Sequence, residues 1–212
     1  EAQLAALIGA FHATSQAQLP VTMVAAGLPQ LLGQMGRAKS YAERLFEFLP
    51  VDRLDDEAAA EALTVPIARE EAAIDKAAVA RIVSETEGYP YFLQEWGKHC
   101  WDVADDSPIT IADVDIAGTI ALSDLDASFF RVRFDRLTPT EKRYMRGMAE
   151  LGAGPHRSGD VADVLGRNVT QLAPTRNALI RKGMIYSPGH GDTAFTVPLF
   201  DRFMKRTMPD FS

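Results

Sequence analysis

Polar and basic side chains between positions 167 and 190 have the types and the spacing that nucleic-acid binding requires. Arginine and lysine pair with phosphate, and asparagine, glutamine and histidine exchange hydrogen bonds with base edges. Apolar residues at helical spacing define a buried side through Leu172, Leu179 and Ile180. The opposite side then presents Asn177 and Arg181. The predicted contact set consists of these two and four neighbours: Arg167, Gln171, Lys182 and His190.

Three short helices and a hairpin are the elements that would position this contact set. A capping box at 138–141, with proline at the first helical position, starts the first helix. The second helix is predicted over 158–166 and the third over 170–183, each ending at a glycine. Strand-like runs at 184–186 and 195–197 flank a loop rich in turn formers. This order is typical of a winged helix-turn-helix, which binds DNA by placing its last helix in the major groove.

Two residues of the third predicted helix stand outside the contact set. Arg176 lies nearer the buried side, where we expect it to pair with a neighbouring carboxylate. Pro174 is expected in the first turn of the helix. Backbone N–H groups have no helical partner there, so the missing donor would not break the helix.

The charge of the chain is unevenly distributed. Residues 128–212 hold 14 Lys and Arg against 8 Asp and Glu, a net charge of +6, whereas residues 1–127 carry −13. A basic C-terminal module favours DNA as the partner, because phosphate contacts supply most non-specific affinity for nucleic acid.

Two alternatives to DNA binding within a larger protein stay open. The winged helix could serve as a protein-interaction or autoinhibitory module, in which case an apolar face around Pro174 and Ala178 would be buried against the preceding helices. The chain could also be a stand-alone transcription regulator whose acidic helical region binds an effector. A basic outward face on the third helix would favour DNA instead.

The N-terminal region contains two short apolar runs typical of strands covered on both faces. They lie at 21–26 and 45–49, after an amphipathic helix that begins the chain. Two such strands do not form a sheet of that kind alone, so we interpret residues 1–54 as the end of an α/β layer whose earlier strands lie upstream of Glu1. The unpaired strand edges predict self-association.

Helical patterns alone follow from Asp55 onward. Asp55 and Asp75 can cap helices, and Pro90 can begin another. The predicted fold is therefore mostly α with a partial α/β element. It divides into residues 1–54, a helical region over 55–134 and a winged helix-turn-helix over 135–212.

This order of elements resembles the C-terminal part of P-loop ATPases of the AAA+ and STAND type. It is most similar to bacterial and archaeal ATPases with a replication-initiator-like layout. The resemblance implies that residues 1–54 end a nucleotide-binding core and that residues 55–134 form its helical lid and connector. It also implies ATP or ADP with Mg²⁺ in the intact protein, bound between core and lid.

Two short motifs carry residue roles under this resemblance. Gly88, Tyr89 and Pro90 resemble the glycine-x-proline of the STAND lid, which packs near the adenine; a helix end followed by a helix start explains the same residues equally well. Arg44 resembles an arginine finger, which stabilises charge on a transferred phosphoryl group in a neighbouring subunit. The alternative is an ion pair of Arg44 with Glu47 or Asp52.

Several kinds of chemistry are not predicted for this chain. No Gly-x-x-x-x-Gly-Lys-Ser/Thr loop occurs, so the 212 residues alone should not hydrolyse ATP. The four histidines and Cys100 are dispersed, which predicts no metal site. No apolar run approaches the roughly 20 residues of a membrane helix, so no membrane partner is expected. A single cysteine indicates a reducing, cytoplasmic location.

Overall fold

The computed structural model describes residues 2–28, 31–49 and 51–210 and is mostly helical, with one small sheet. The helices are α1 (Ala2–Gln16), α2 (Leu31–Ala38), α3 (Ala42–Leu45), α4 (Asp56–Arg69), α5 (Lys76–Thr86), α6 (Pro90–Val103), α7 (Ile111–Asp124), α8 (Arg131–Phe134), α9 (Pro139–Leu151), α10 (Ser158–Val164), α11 (Val169–Arg181) and α12 (Phe200–Thr207). A π-helical stretch, Leu125–Phe130, joins α7 to α8. The strands are β1 (His156–Arg157), β2 (Ile185–Tyr186) and β3 (Asp192–Phe195).

The two strands predicted in the N-terminal region are wrong. Residues 21–28 have no regular structure, and Leu45 ends α3 before an irregular stretch over 46–49. A strand needs a neighbour for its N–H and C=O groups, and neither stretch has one within the described residues. Val24 is 95% exposed and Leu49 is 76% exposed, so the two runs are not covered on both faces. The open sheet edges that predicted self-association are therefore absent from these stretches.

The first three helices instead form a small cluster of their own. Ile8 of α1, Met35 of α2 and Ala42 of α3 are its buried residues. The ring of Phe11 meets that of Phe46 edge-on at 6.2 Å. The helix predicted at the N-terminus is confirmed, although Leu7 of its predicted apolar side is exposed, and it packs on helices rather than on a sheet.

Helices α4 to α7 form a bundle, as the helical pattern after Asp55 predicts. The Asp55 carboxylate accepts a hydrogen bond from the N–H of Ala58 at 2.8 Å and caps α4. A capping box of Thr110 and Asp113 starts α7. The largest buried side chains of the bundle include Leu63, Ile82, Phe92, Leu93 and Trp96.

Residues 135–210 have the arrangement of a winged helix-turn-helix and are called the winged module below. Its antiparallel sheet has the order β1-β3-β2, with Ile185 opposite Phe195 and His156 opposite Thr193. The predicted capping box is confirmed, because Glu141 Oε2 accepts a hydrogen bond from the N–H of Thr138 at 2.7 Å. Strand β1 and helix α12 were not predicted.

The bundle and the winged module share one continuous core. Phe130, from the π-helical stretch, stacks on Phe203 of α12 with ring centres 5.2 Å apart. Phe200 of α12 meets Phe130 edge-on at 5.6 Å, and Phe134 of α8 meets Phe203 edge-on at 5.7 Å. All four side chains are at most 6% exposed. The connector is therefore part of a packed core rather than a free linker.

Candidate nucleic-acid interface

Helix α11 lies across the winged module with one side buried and one side open. Leu179 is fully buried, and α11 packs against α9, α10 and β2. The opposite side carries four exposed residues at steps of four, three and four: Thr170, Pro174, Asn177 and Arg181. These steps place the four along one line of the helix surface, which we call the outward stripe. The predicted outward placement of Asn177 and Arg181 agrees with their exposure.

Pro174 lies deeper in α11 than its predicted place in the first turn. The helix begins at Val169, so an ordinary residue at position 174 would donate its N–H to the carbonyl oxygen of Thr170. Proline has no N–H, so that carbonyl lacks its helical donor. Both residues are exposed on the outward stripe.

The wing, which we define as the loop over 187–191, is tied to α11 by Arg176. The guanidinium of Arg176 donates hydrogen bonds to Thr193 Oγ1 at 2.8 Å, to the backbone carbonyl of Asp192 at 2.8 Å and to Ser187 Oγ at 3.0 Å. The predicted pairing of Arg176 with a carboxylate is wrong, because two hydroxyls and a carbonyl lie within its reach instead. These bonds fix the wing relative to α11.

The start of α10 holds the other end of the wing. The N–H and the hydroxyl of Ser158 both donate to the carbonyl of Gly191, each at 2.9 Å. Gly191 has a φ of +82°, a conformation that side chains disfavour, and it allows the turn into β3. The wing is therefore held at both of its ends before any ligand binds.

Two grooves flank α11. A groove of about 310 Å³ separates α11 from the wing and brings together Asn177 and His190 of the predicted contact set. A smaller groove of about 140 Å³ lies between α9 and the start of α11 and brings together Arg167 and Gln171. Arg143 of α9 lines the second groove too. Sequence reasoning missed Arg143, although its position next to the buried Tyr144 on an amphipathic helix signals an exposed cation.

Unpaired cations surround α11. In the part of the chain that the structure describes, four residues are exposed and have guanidinium groups that make no ion pair or hydrogen bond: Arg143, Arg157, Arg167 and Arg181. The two arginines of α12 are occupied instead. Arg206 pairs with Asp126 at 2.6 Å, and Arg202 lies 3.4 Å from Glu85. The free cations of the winged module therefore lie at both ends of α11, on strand β1 and on α9.

Lys182 stands apart from the rest of the contact set. Its ammonium donates to Glu141 Oε2 at 2.7 Å and to the carbonyl of Arg136 at 2.9 Å. Burial opposes ionisation of Glu141, but the hydrogen bonds from Lys182 and Thr138 outweigh it and lower the pKa of this carboxyl. Lys182 thus joins the end of α11 to the cap of α9.

Gly88, Tyr89 and Pro90 form the turn between α5 and α6. Gly88 has a φ of +68°, and a Cβ there would lie 2.4 Å from the carbonyl oxygen of Leu54. Tyr89 precedes α6, and Pro90 is its first residue. The alternative of a helix end followed by a helix start therefore explains by itself why glycine and proline stand at these two positions. Contact of the motif with adenine stays a prediction.

Tyr89 and Pro90 also line a cleft of about 850 Å³ between the bundle and the winged module. Arg133, Arg136 and Lys182 lie on the same cleft. The guanidinium carbon of Arg133 is 3.7 Å from the ring centre of Phe129, and burial lowers the pKa of Arg133. This cleft combines tyrosine rings with positive charge.

Arg44 is exposed on α3. The alternative ion pair of Arg44 with Glu47 or Asp52 does not form among the described residues. The arginine-finger role stays a prediction, because it needs a second subunit.

Among the described residues, no three histidine, cysteine, aspartate or glutamate side chains cluster as metal ligands would. Burial raises the pKa of the Cys100 thiol to about 11, with Asp113 adding to the shift, so this thiol stays protonated at neutral pH. None of the described helices is both long and apolar enough to cross a bilayer.

Comparison with known proteins gives one family match and several matches to solved structures. The model of a family described as "Domain of unknown function (DUF8462)" matches residues 127–204. No curated protein matches the chain. A structure of a RuvB variant from Thermotoga maritima has a TM-score of 0.47 at 17% identity and covers 89% of this chain and 60% of its own. A second variant of the same RuvB has a TM-score of 0.37 at 17% identity, covering 74% of this chain and 51% of its own.

A third structure, described as the Thermotoga maritima RuvB Holliday junction branch migration motor, has a TM-score of 0.34 at 16% identity. It covers 68% of this chain and 47% of its own. The chain thus spans about half to three fifths of the length of these RuvB chains.

Proposed function

We propose that the winged module binds duplex DNA, with α11 in the major groove and the wing beside it. The observation that carries this proposal is the set of exposed arginines without partners at Arg143, Arg157, Arg167 and Arg181. An exposed cation without a partner is available to displace counterions from a phosphate backbone. Asn177 and His190 on the groove between α11 and the wing supply hydrogen-bonding groups between these cations.

The geometry disfavours the autoinhibitory alternative. That alternative needs an apolar face around Pro174 and Ala178 buried against the bundle. Pro174 is exposed, and Ala178 is only half-buried. Helix α11 packs within the winged module, against α9, α10 and β2.

We also propose that the whole protein is a larger ATP-binding protein of the AAA+ or STAND type, with this chain at its C-terminal side. The succession of a helical bundle and a winged module supports it, as does the cleft beside Tyr89 and Pro90. The chain itself has no phosphate-binding loop, so ATP or ADP and Mg²⁺ would bind the intact protein. The residues encoded immediately before Glu1 test this extension: a phosphate-binding loop there supports it, and an initiating methionine contradicts it.

Fluorescence anisotropy of a labelled duplex, titrated with the 212-residue chain at two salt concentrations, tests DNA binding. We expect binding that weakens steeply as salt rises. Arg167→Gln and Arg181→Gln should each weaken binding and lower the salt slope by about one. Lys205→Gln is the matched control, because Lys205 is an exposed cation on α12 that lines neither groove beside α11. Absence of binding by the unmodified chain at low salt would rule the function out.

A further inference from the structure

Pro174 is an unfavourable residue for its position in α11. A proline inside a helix removes one backbone hydrogen bond and crowds the carbonyl four residues earlier, so it destabilises the helix. Buried packing does not compensate for this loss, since Pro174 is exposed. The rest of α11 is regular, with a capping box between Asn168 and Gln171 and a fully buried Leu179. Pro66 of α4 is also exposed inside a helix, but Pro174 differs from it in lying on the outward stripe beside Asn177 and Arg181.

The outward stripe offers three different chemical groups to a groove. The Thr170 carbonyl is a hydrogen-bond acceptor without its helical donor, and the Pro174 ring is an exposed apolar surface. The Asn177 amide carries both a donor and an acceptor. In the major groove the carbonyl matches an amino group of adenine or cytosine, and the proline ring matches the methyl group of thymine. The amide matches the N6 and N7 atoms of adenine.

We propose that Pro174 makes α11 a sequence-reading surface for A·T base pairs. Its ring contacts a thymine methyl group, the carbonyl of Thr170 accepts a hydrogen bond from a base amino group, and Asn177 pairs with adenine. Arg181, at the end of the stripe, pairs with a phosphate of the DNA backbone. This inference rests on the proposed DNA binding and adds to it the base composition of the site.

Selection from a random duplex library with the 212-residue chain defines the preferred site. Anisotropy then measures the affinity ratio between that site and a scrambled duplex. We expect a preferred site containing adenine and thymine, and at least about a fivefold loss of affinity when the contacted thymine is replaced by uracil, which lacks only the methyl group.

Two substitutions separate the roles of the ring and the carbonyl. Pro174→Ala restores the N–H donor and removes the ring, so we expect a higher Tm, unchanged affinity for the scrambled duplex and at least about a fivefold lower affinity ratio. The uracil replacement should have no effect on Pro174→Ala. Pro174→Val restores the donor but keeps an apolar side chain, so it should retain the sensitivity to uracil and lose only the preference at the amino-bearing base.

The outcomes distinguish failure of this inference from failure of the proposed function. If the unmodified chain binds no duplex at low salt, DNA binding itself is wrong. If it binds DNA but selects no A·T-containing site, or if Pro174→Ala keeps the full affinity ratio, DNA binding stands and the reading role of Pro174 is wrong. The higher Tm of Pro174→Ala shows that any loss of discrimination does not come from unfolding.

Discussion

The ammonium of Lys182 lies 2.7 Å from Glu141 Oε2 and so joins the end of α11 to the first turn of α9. Glu141 is buried, and the same oxygen accepts the N–H of Thr138 at 2.7 Å. One carboxylate therefore both caps α9 and holds α11. Removal of the ammonium leaves a buried charge with fewer partners.

Lys182→Met keeps most of the aliphatic side chain and removes the charge. We expect the free energy of unfolding to fall by about 1–2 kcal/mol, because Glu141 loses a charge-assisted hydrogen bond while Lys182 itself is partly exposed. Urea unfolding followed by circular dichroism measures this change. DNA affinity at fixed salt should stay close to that of the unmodified chain. A loss of affinity as large as that of Arg181→Gln would return Lys182 to the DNA-contact set.

The lowered pKa of Glu141 gives the stability of the chain a defined dependence on pH. A carboxyl whose pKa is lower in the folded state stabilises the fold fully above its unfolded-state pKa, near 4.3, and loses this contribution as pH falls through its folded-state pKa. Glu141→Gln does not titrate. The difference in unfolding free energy between the unmodified chain and Glu141→Gln should therefore be constant between about pH 5.5 and 7 and shrink below about pH 4.5. A difference that grows on acidification would contradict this assignment.

Arg176 should affect DNA binding without contacting DNA, since its guanidinium is occupied by Thr193, Asp192 and Ser187. Arg176→Met should lower the unfolding free energy by about 1–3 kcal/mol, because the partly buried groups lose their donors. It should also speed amide exchange over 187–193 and weaken DNA binding. Arg181→Gln is the comparison: it should weaken binding and leave amide exchange in the wing unchanged. Unchanged exchange in Arg176→Met would show that other contacts hold the wing.

Signals that act within a few residues predicted their elements correctly. The capping box at Thr138 and Glu141 and the outward placement of Asn177 depend on helix geometry alone, so both can be predicted from the sequence. The apolar run at 21–26 failed because a strand depends on a partner that the run itself does not specify. The two-residue strand β1 carries too little pattern to be recognised.

Contacts between elements that are distant along the chain could not be predicted from the sequence, for a related reason. Arg176 of α11 and Lys182 directly after it are both cations, yet Arg176 fixes the wing and Lys182 pairs with Glu141, the carboxylate that caps α9. Helical periodicity gives the direction of each side chain but not the neighbour in that direction. Arg181 and Arg167 stay candidates for DNA contact because they face no such neighbour.

The shared aromatic core predicts that the bundle and the winged module unfold together. Phe203 of α12 is 1% exposed and contacts Phe130, Phe134 and Phe200. Phe203→Ala should lower the unfolding free energy by about 3–5 kcal/mol. Both tryptophans, Trp96 and Trp101, lie in α6 of the bundle, so tryptophan fluorescence reports on the bundle alone.

We therefore expect Phe203→Ala, a substitution in the winged module, to shift the urea midpoint of tryptophan fluorescence by the same amount as that of circular dichroism. Ile8→Ala is the control, because Ile8 is fully buried in the separate cluster of α1 to α3 and should leave the tryptophan midpoint in place. If the urea midpoint of tryptophan fluorescence is unchanged in Phe203→Ala, the bundle folds independently. In that case the Phe130–Phe203 stack would be an interface between two domains and not the centre of one core.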